Sequence, residues 1–255
     1  MLESNEYPQL VICDEVDSTQ DELRRLLAQG QASNNQAALA VMARTQTAGR
    51  GRLGRSWVSL PGSLYLSIAL ALPEYSVEVA SLSLIVGLAV YEVLEDLTGS
   101  QQVIKLKWPN DLVCPKGKLA GILVELNQTE QKPQHVIIGL GVNTQRPQSG
   151  ASERAAYLSD LSDITLGLEQ LAELVIKSIM DYAHAWQAAE YSFAGFRDEY
   201  NARLSLSGQE VGVRNRLGQI LAEGVVAGVD ESGLLLIQSG DGSLAKVSSG
   251  EVTLR

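Results

Sequence analysis

The sequence predicts an α+β protein in two parts: a larger domain of interspersed strands and helices over residues 1–206, and a small β-barrel over residues 207–255. Three observations support this. Strand-like apolar runs such as Leu64-Tyr65-Leu66-Ser67-Ile68-Ala69-Leu70 are separated by segments with helical periodicity. Near Ser207 the composition shifts to short strands joined by glycine turns, Asp230-Glu231-Ser232-Gly233 and Ser239-Gly240-Asp241-Gly242. A chain of 255 residues, 45% hydrophobic and 20% charged, is long enough for a large and a small globular domain.

Gln9-Leu10-Val11-Ile12-Cys13 reads as the first strand. Asp17-Ser18-Thr19-Gln20 opens a helix with Leu23, Leu26 and Leu27 on one face and Gly30 as its stop. Thr19 and Glu22 have capping-box spacing. Ser18 and Thr19 are therefore read either as caps or as hydroxyls facing a polar ligand, and one can cap while the other binds. Residues 38–43 and 64–70 are strands. A helix at about 77–97 is apolar around most of its surface, which predicts a central buried element, and Gly99 ends it. Val103-Ile104-Lys105-Leu106-Lys107 alternates like a strand and runs into the loop Lys107-Trp108-Pro109-Asn110-Asp111-Leu112. After the turn Pro115-Lys116-Gly117, residues 118–125 and 135–142 are strands, and 145–159 is a loop. Helices follow at about 166–189, with Leu171, Leu174, Val175 and Ile179 on one face, and at about 193–204.

One stretch stands apart: Ala48-Gly49-Arg50-Gly51-Arg52-Leu53-Gly54-Arg55-Ser56-Trp57. Glycine lets the backbone approach a ligand closely, and successive N–H groups in such a loop form an anion-binding concavity. Arginine adds a permanent charge on a planar fork that matches carboxylate and phosphate. The glycines satisfy a dinucleotide fingerprint, but that fingerprint needs a helix directly behind it, and here Pro61-Gly62 leads into a strand. No Gly-Lys-Ser/Thr follows, which excludes a P-loop.

Net charge of −10 argues against non-specific binding to nucleic acid or a membrane surface, so a basic loop on an acidic body suggests a small-anion site. Cys13 and Cys114 lack metal-site spacing and fit a reducing compartment; His135 and His184 stand far apart. No signal peptide or membrane span is legible, so a cytoplasmic enzyme is expected.

Polar clusters at strand ends then suggest a site: Ser18-Thr19, Gln46, the arginine loop, residues 108–111, Lys118 and Asn143. Gln46 offers a donor and an acceptor, suited to an amide or ureido group. Lys118 heads an apolar strand and is costly to bury without an anion. There is no Ser-His-Asp constellation, no metal-ligand cluster and no cysteine nucleophile with a nearby base. What remains is chemistry by positioning and charge: a carboxylate attacks the α-phosphate of a nucleotide while Arg and Lys stabilise the growing charge. Magnesium would neutralise the pyrophosphate, with Asp111 the carboxylate to help hold it.

Asp17-Ser18-Thr19-Gln20, the arginine loop, Lys107-Trp108-Pro109-Asn110-Asp111-Leu112, Lys118-Leu119-Ala120-Gly121-Ile122-Leu123-Val124-Glu125, Gly139-Leu140-Gly141-Val142-Asn143 and the closing Gly250-Glu251-Val252-Thr253-Leu254-Arg255 together resemble the blocks of the bacterial biotin protein ligases, in that family's order. The resemblance implies a mixed-sheet catalytic domain related to class II tRNA synthetases, followed by an SH3-like barrel. It implies that biotin and Mg-ATP give biotinyl-5′-AMP, and that biotin then passes to a lysine of a biotin carboxyl carrier domain, with acetyl-CoA carboxylase as the acceptor. Biotin-binding residues implied by the resemblance are Ser18, Thr19, Gln20, Gln46, Gly49, Arg50, Gly51, Arg52 and Lys118. Arg52 and Arg55 would hold phosphates, Trp57 and Asn143 the adenine, and Lys118 with Arg52 would be catalytic.

The rivals are a lipoate or octanoate ligase and a non-catalytic biotin or nucleotide sensor. A homodimer through sheet edges stays open. The glycine-rich segment 50–57 is expected to be mobile without ligand and ordered with biotinyl-AMP. Regulatory members carry an N-terminal helix-turn-helix domain, and the Asp-Ser-Thr block here starts too early for a three-helix DNA reader. A ligase without repressor function is expected; sequence-specific binding to an operator duplex at physiological salt would overturn this.

Overall fold

The computed structural model describes residues 7–30, 38–72, 79–99, 103–127, 134–150, 152–163 and 166–255. Strands β1 (Gln9–Val16), β2 (Ala38–Gln46), β3 (Leu64–Leu72), β4 (Lys105–Lys107), β5 (Asp111–Cys114), β6 (Gly117–Asn127) and β7 (Gln134–Val142) form one sheet in the order β1-β2-β3-β7-β6-β5-β4. Among these strands only β1 and β2 pair in parallel, so the sheet is mixed, as the resemblance implies.

Alternation along the strands sorts the sheet into two faces. Helix α1 (Thr19–Ala28) covers one face with Leu23 and Leu26 against Leu39, Val41, Ala69 and Ile137. Helices α2 (Leu82–Thr98) and α3 (Leu168–Ala188) cover the other, where Leu66, Ile68, Val136, Ile138 and Leu140 join their apolar residues in the main core. Helix α2 is buried on most of its surface, as its all-round apolar pattern predicts, and Gly99 ends it with φ 57°. Left-handed backbone of this kind suits glycine at a helix end.

After helix α4 (Arg197–Arg203), β8 (Glu210–Arg214), β9 (Ile220–Val229), β10 (Leu235–Gln238), β11 (Leu244–Val247) and β12 (Glu251–Leu254) make an antiparallel sheet ordered β11-β10-β9-β8-β12. This is the small β unit the sequence predicts, and it is consistent with the SH3-like fold the resemblance implies. The unit is stitched to the first sheet. Asn201 on α4 donates from Nδ2 to the Val229 carbonyl at 3.1 Å and accepts from the Val229 N–H at 2.8 Å. The buried Trp108 indole donates to the Gly233 carbonyl at 3.0 Å.

Several expectations change. The loop at 107–112 is shorter than it reads, because Asp111 and Leu112 already pair with β6 in β5. The preceding strand is only Lys105–Lys107. Helix α2 starts at Leu82 behind a single 3₁₀ turn, Val79–Ser81, and the expected start at 77 lies outside the described residues. The helix expected at 193–204 is a 3₁₀ turn, Ala194–Phe196, followed by α4. Leu174, placed on the apolar face of α3, is 42% exposed; Ala172 and Ile176 take the buried positions beside Leu171, Val175 and Ile179. Among the described residues no helix is long and apolar enough to cross a membrane.

Trp108→Phe keeps an aromatic ring, deletes the donor to Gly233 and gives up part of the buried ring volume. A urea titration is expected to show a loss of about 1–3 kcal/mol, the usual consequence of leaving a buried acceptor without its donor.

Candidate active site

The floor of the site is a gap in the side chains of the sheet. Gly121 on β6 and Gly141 on β7 are direct cross-strand partners. A Cβ on Gly121 would stand 2.7 Å from the Trp57 ring, and one on Gly141 2.6 Å from it. Real contacts of this kind stay above about 3.5 Å, so the indole can lie here only because both residues are glycine. Gly139, two residues along β7, does the same for Gln20: a Cβ there would come within 2.9 Å of the Gln20 amide. The Trp57 indole nitrogen is buried without a hydrogen-bond partner.

The arginine loop is drawn together as a closed turn. Gly51 N–H donates to the Arg55 carbonyl at 2.7 Å, and Trp57 N–H to the Gly49 carbonyl at 2.8 Å. A Cβ on Gly49 would lie 2.6 Å from the Trp57 carbonyl, so Gly49 closes the turn and does not line the cleft. Arg50 Nη2 lies 3.0 Å from Asp21 and 3.1 Å from Glu125. Arg52 donates to Asn110 Oδ1 at 2.8 Å, and Asn110 donates to the Ile122 carbonyl at 2.8 Å. Burial pushes the Arg52 guanidinium below its usual value, with Asp111 opposing that shift. Arg55 pairs with Glu251 of β12, and this guanidinium holds the Glu251 carboxyl below its usual range.

Ser18, Thr19, Gln20, Gln46, Arg50, Gly51, Arg52, Trp57 and Lys118 come together around one cleft of about 470 Å³. The expected capping box at Thr19 and Glu22 is absent. Ser18 is the N-cap and makes no side-chain cap bond, while Thr19 is tied into the site. Gln46 Oε1 accepts from the Thr19 N–H at 2.9 Å and its hydroxyl at 3.2 Å, and Gln46 Nε2 donates to Ser59 at 3.0 Å. Ser67 donates to the Thr19 hydroxyl at 2.8 Å. Gln46 thus sets the position of Thr19 as well as facing the cleft. Asp17, held at about 2 by Arg25 and the Ser18 N–H, fixes the turn that presents both hydroxyls.

Two further cavities adjoin this cleft. One, of about 850 Å³, contains Asn143, Tyr65, Tyr157 and Arg154. The other, of about 680 Å³, lies between the two parts of the chain and holds Arg55, Lys107, Asp111 and Glu251. Lys118 and Trp57 line all three. Lys118 Nζ is 5.1 Å from the Trp57 ring centroid and 2.7 Å from Asp111 Oδ1, outside hydrogen-bonding geometry, so that oxygen stays buried without a hydrogen bond. The Lys118 main chain is fixed independently: its N–H donates to Arg154 and its carbonyl accepts from Ala156 and from Asn143 Nδ2.

Sequence reasoning missed Ser59 and Ser67, placed Asn110 only within the polar cluster 108–111, and gave no role to Glu251 or to the three glycines of the floor, which it quoted only within the family blocks. Ser67 inside an apolar strand and paired glycines inside strands were the available signals. Trp108, read with the polar cluster, is an anchor to the C-terminal unit.

Residues 13–143, more than half the chain, match the biotin/lipoate A/B protein ligase family, and residues 206–255 match the biotin protein ligase C-terminal domain. The biotin–[acetyl-CoA-carboxylase] ligase of Paracoccus denitrificans is 32% identical over 205 residues, 78% of this chain and 83% of that protein. The chain belongs to the biotin protein ligase family. Within it, the bifunctional ligase/repressor BirA of Escherichia coli K12 is 30% identical over 85% of this chain and 66% of its own length. The biotin protein ligase of Aquifex aeolicus, solved with biotin and ATP, superposes with a TM-score of 0.78 at 31% identity, covering 97% of this chain and 98% of that one.

Two variants probe the floor and the clamp. Gly141→Ala is expected to unseat Trp57, read as a red shift of tryptophan emission with the fold retained in far-UV circular dichroism. For Arg55–Glu251 the depressed carboxyl means that the contact is complete above the ordinary glutamate value and is lost as pH falls through the lowered one. Glu251→Gln mimics that loss at neutral pH, and trypsin is expected to cut faster after Arg52 and Arg55 than in the parent.

Proposed function

We propose that the chain is an ATP-dependent ligase that converts biotin to biotinyl-5′-AMP and transfers the biotinyl group to a lysine of a carboxyl carrier domain, that of acetyl-CoA carboxylase, in the cytoplasm. One observation carries the proposal. Joining a carboxylate to an α-phosphorus needs an acid site, a nucleotide site and a phosphate exit that meet at one point, and the three cavities meet at Lys118 and Trp57.

In this reading the cleft under Ser18, Thr19 and Gln46 takes the ureido end of biotin, with Gln20 and Arg50 at its side. The cavity of Trp57 and Asn143 takes adenine. A carboxylate oxygen attacks the α-phosphorus, the bond from phosphorus to the bridging oxygen breaks, and pyrophosphate leaves. Lys118 and Arg52 hold the charge that builds on the α-phosphate oxygens. Asp111 keeps the Lys118 ammonium compensated until that anion arrives. Asp111 is also the carboxylate to help hold a magnesium ion carried on the nucleotide: once Lys118 turns to the α-phosphate, Oδ1, which makes no hydrogen bond of its own, would be released for such an ion; the ion would neutralise the pyrophosphate. The closed arginine turn shields the mixed anhydride from water. A carrier amine then attacks the acyl carbon, the C–O bond breaks and AMP leaves.

ATP–pyrophosphate exchange with biotin, lipoate, octanoate or no acid is the test. Exchange with biotin alone is expected; exchange with lipoate or octanoate alone would overturn the substrate, and none with any acid despite biotin binding would make the chain a sensor. Lys118→Ala is expected to cut exchange by about 10²–10³-fold, the usual loss for one oxyanion-stabilising donor, with the far-UV circular dichroism of the parent; near-normal exchange would remove its assigned role.

A further inference from the structure

The acid cleft runs along β6 past Gly121 and Leu123, and Glu125, the next residue on that face, stands just outside its lining. Four charges meet there. Arg24 Nη1 lies 2.7 Å from Asp21 Oδ1, one turn back on α1, and Arg24 Nη2 lies 2.7 Å from Glu125 Oε2. Arg50 of the arginine turn reaches the same two oxygens, at 3.0 Å from Asp21 Oδ1 and 3.1 Å from Glu125 Oε2. Two guanidinium groups thus share two carboxylates atom for atom, and α1, β6 and the turn are joined at one point. Gln20 adds a neutral tie: its Nε2 donates to the Leu123 carbonyl at 3.1 Å, and its Oε1 lies 3.5 Å from Arg50.

The distances rank the two cations. Arg24 is closer to both carboxylates than Arg50 is, yet Arg50 is the one that lines the cleft. An oxygen that already accepts from one guanidinium attracts a second less strongly, because the two cations repel each other. Asp21 and Glu125 therefore hold Arg50 with only part of their charge, and Arg24 sets how much is left. All four side chains are between 26% and 37% exposed, so solvent weakens these contacts in part. A weakly held arginine at a cleft is one that a small change in its partners can move.

We propose that Asp21 and Glu125 are positioning residues for Arg50 in biotin binding, and that Arg24 is the competing cation that tunes their grip. This rests on the placing of biotin in this cleft and adds to it three residues that act through Arg50 alone. The more of their charge the two carboxylates give to Arg50, the more firmly it is aimed beside the bound acid. The more Arg24 takes, the more easily Arg50 swings away. The balance sets how long biotin stays bound, and the nucleotide cavity at the Lys118 end of β6 is unaffected by it.

The test is the rate of biotin release, followed by stopped-flow tryptophan emission, in the parent and in Asp21→Asn, Glu125→Gln, Arg24→Gln, Arg24→Lys and the double variant Arg24→Gln with Glu125→Gln. Asp21→Asn and Glu125→Gln are expected to speed release about fivefold, the scale of one partly exposed ion pair. Arg24→Gln is expected to slow release by about the same factor, because both carboxylates then turn to Arg50. Arg24→Lys, which keeps the charge, is expected to recover most of the parent rate, and the double variant to fall within about twofold of it. KM for MgATP is expected to stay at the parent value throughout. Faster release in Arg24→Gln would overturn the proposal, since a square that only braces the fold is loosened by the loss of any corner. Rates within about twofold of the parent in both Arg24→Gln and Glu125→Gln would overturn it as well. A parent enzyme that binds no biotin would overturn the reading of the cleft itself, so the two failures are distinguishable.

Discussion

The site depends on one contact: the Trp57 indole seated against Gly121 and Gly141. A strand interior normally disfavours glycine, which packs nothing and loses more entropy on folding. Here two of them face each other across β6 and β7 and leave a patch where backbone is bare. The indole fills it, and its position then fixes how the three cavities divide. Its buried N–H lacks a partner, which costs on the order of 1–3 kcal/mol. The burial of a large ring offsets that cost.

Around this seat, charge is held by neighbours in sequence-distant elements. Arg50 is bracketed by Asp21 and Glu125, Arg52 by Asn110, Arg55 by Glu251 and Lys118 by Asp111. Three of these arginines alternate along one short turn, yet each faces a different structural element. A loop of glycines supplies the freedom for that divergence, and the ionic partners remove it again. Most of these pairs are partly exposed and are each worth little to stability; their effect is to aim the guanidinium groups.

Continuous apolar runs made the strands legible, because residues buried on both faces mark a covered sheet, and the arginine loop was legible because glycine and arginine have few other uses in that density. What the sequence hid was competition for the same atoms. Thr19 has the spacing of a cap, but Gln46 and Ser67 claim its hydroxyl, and both are remote in sequence. Leu174 matches the helical period, yet α3 meets the core along the stripe of Ala172 and Ile176. Asp111 reads as loop because Pro109 and Asn110 precede it, while its pairing with Gly121 is a tertiary fact. The cleft wall from β12 is invisible until the C-terminal unit is docked.

That docking has a consequence for exchange of parts between relatives. The C-terminal unit grips the larger one through Trp108–Gly233 and Asn201–Val229, and it contributes Glu251 to the cavity beside Arg55. A chimaera that joins this chain's first 206 residues to another protein's barrel therefore transplants a wall of the cleft along with the barrel. Such a graft keeps its catalytic geometry only when the donor barrel presents a carboxylate at the Glu251 position and a carbonyl where Gly233 meets the indole, which makes the inter-domain seam, and not the boundary in the sequence, the natural unit of recombination.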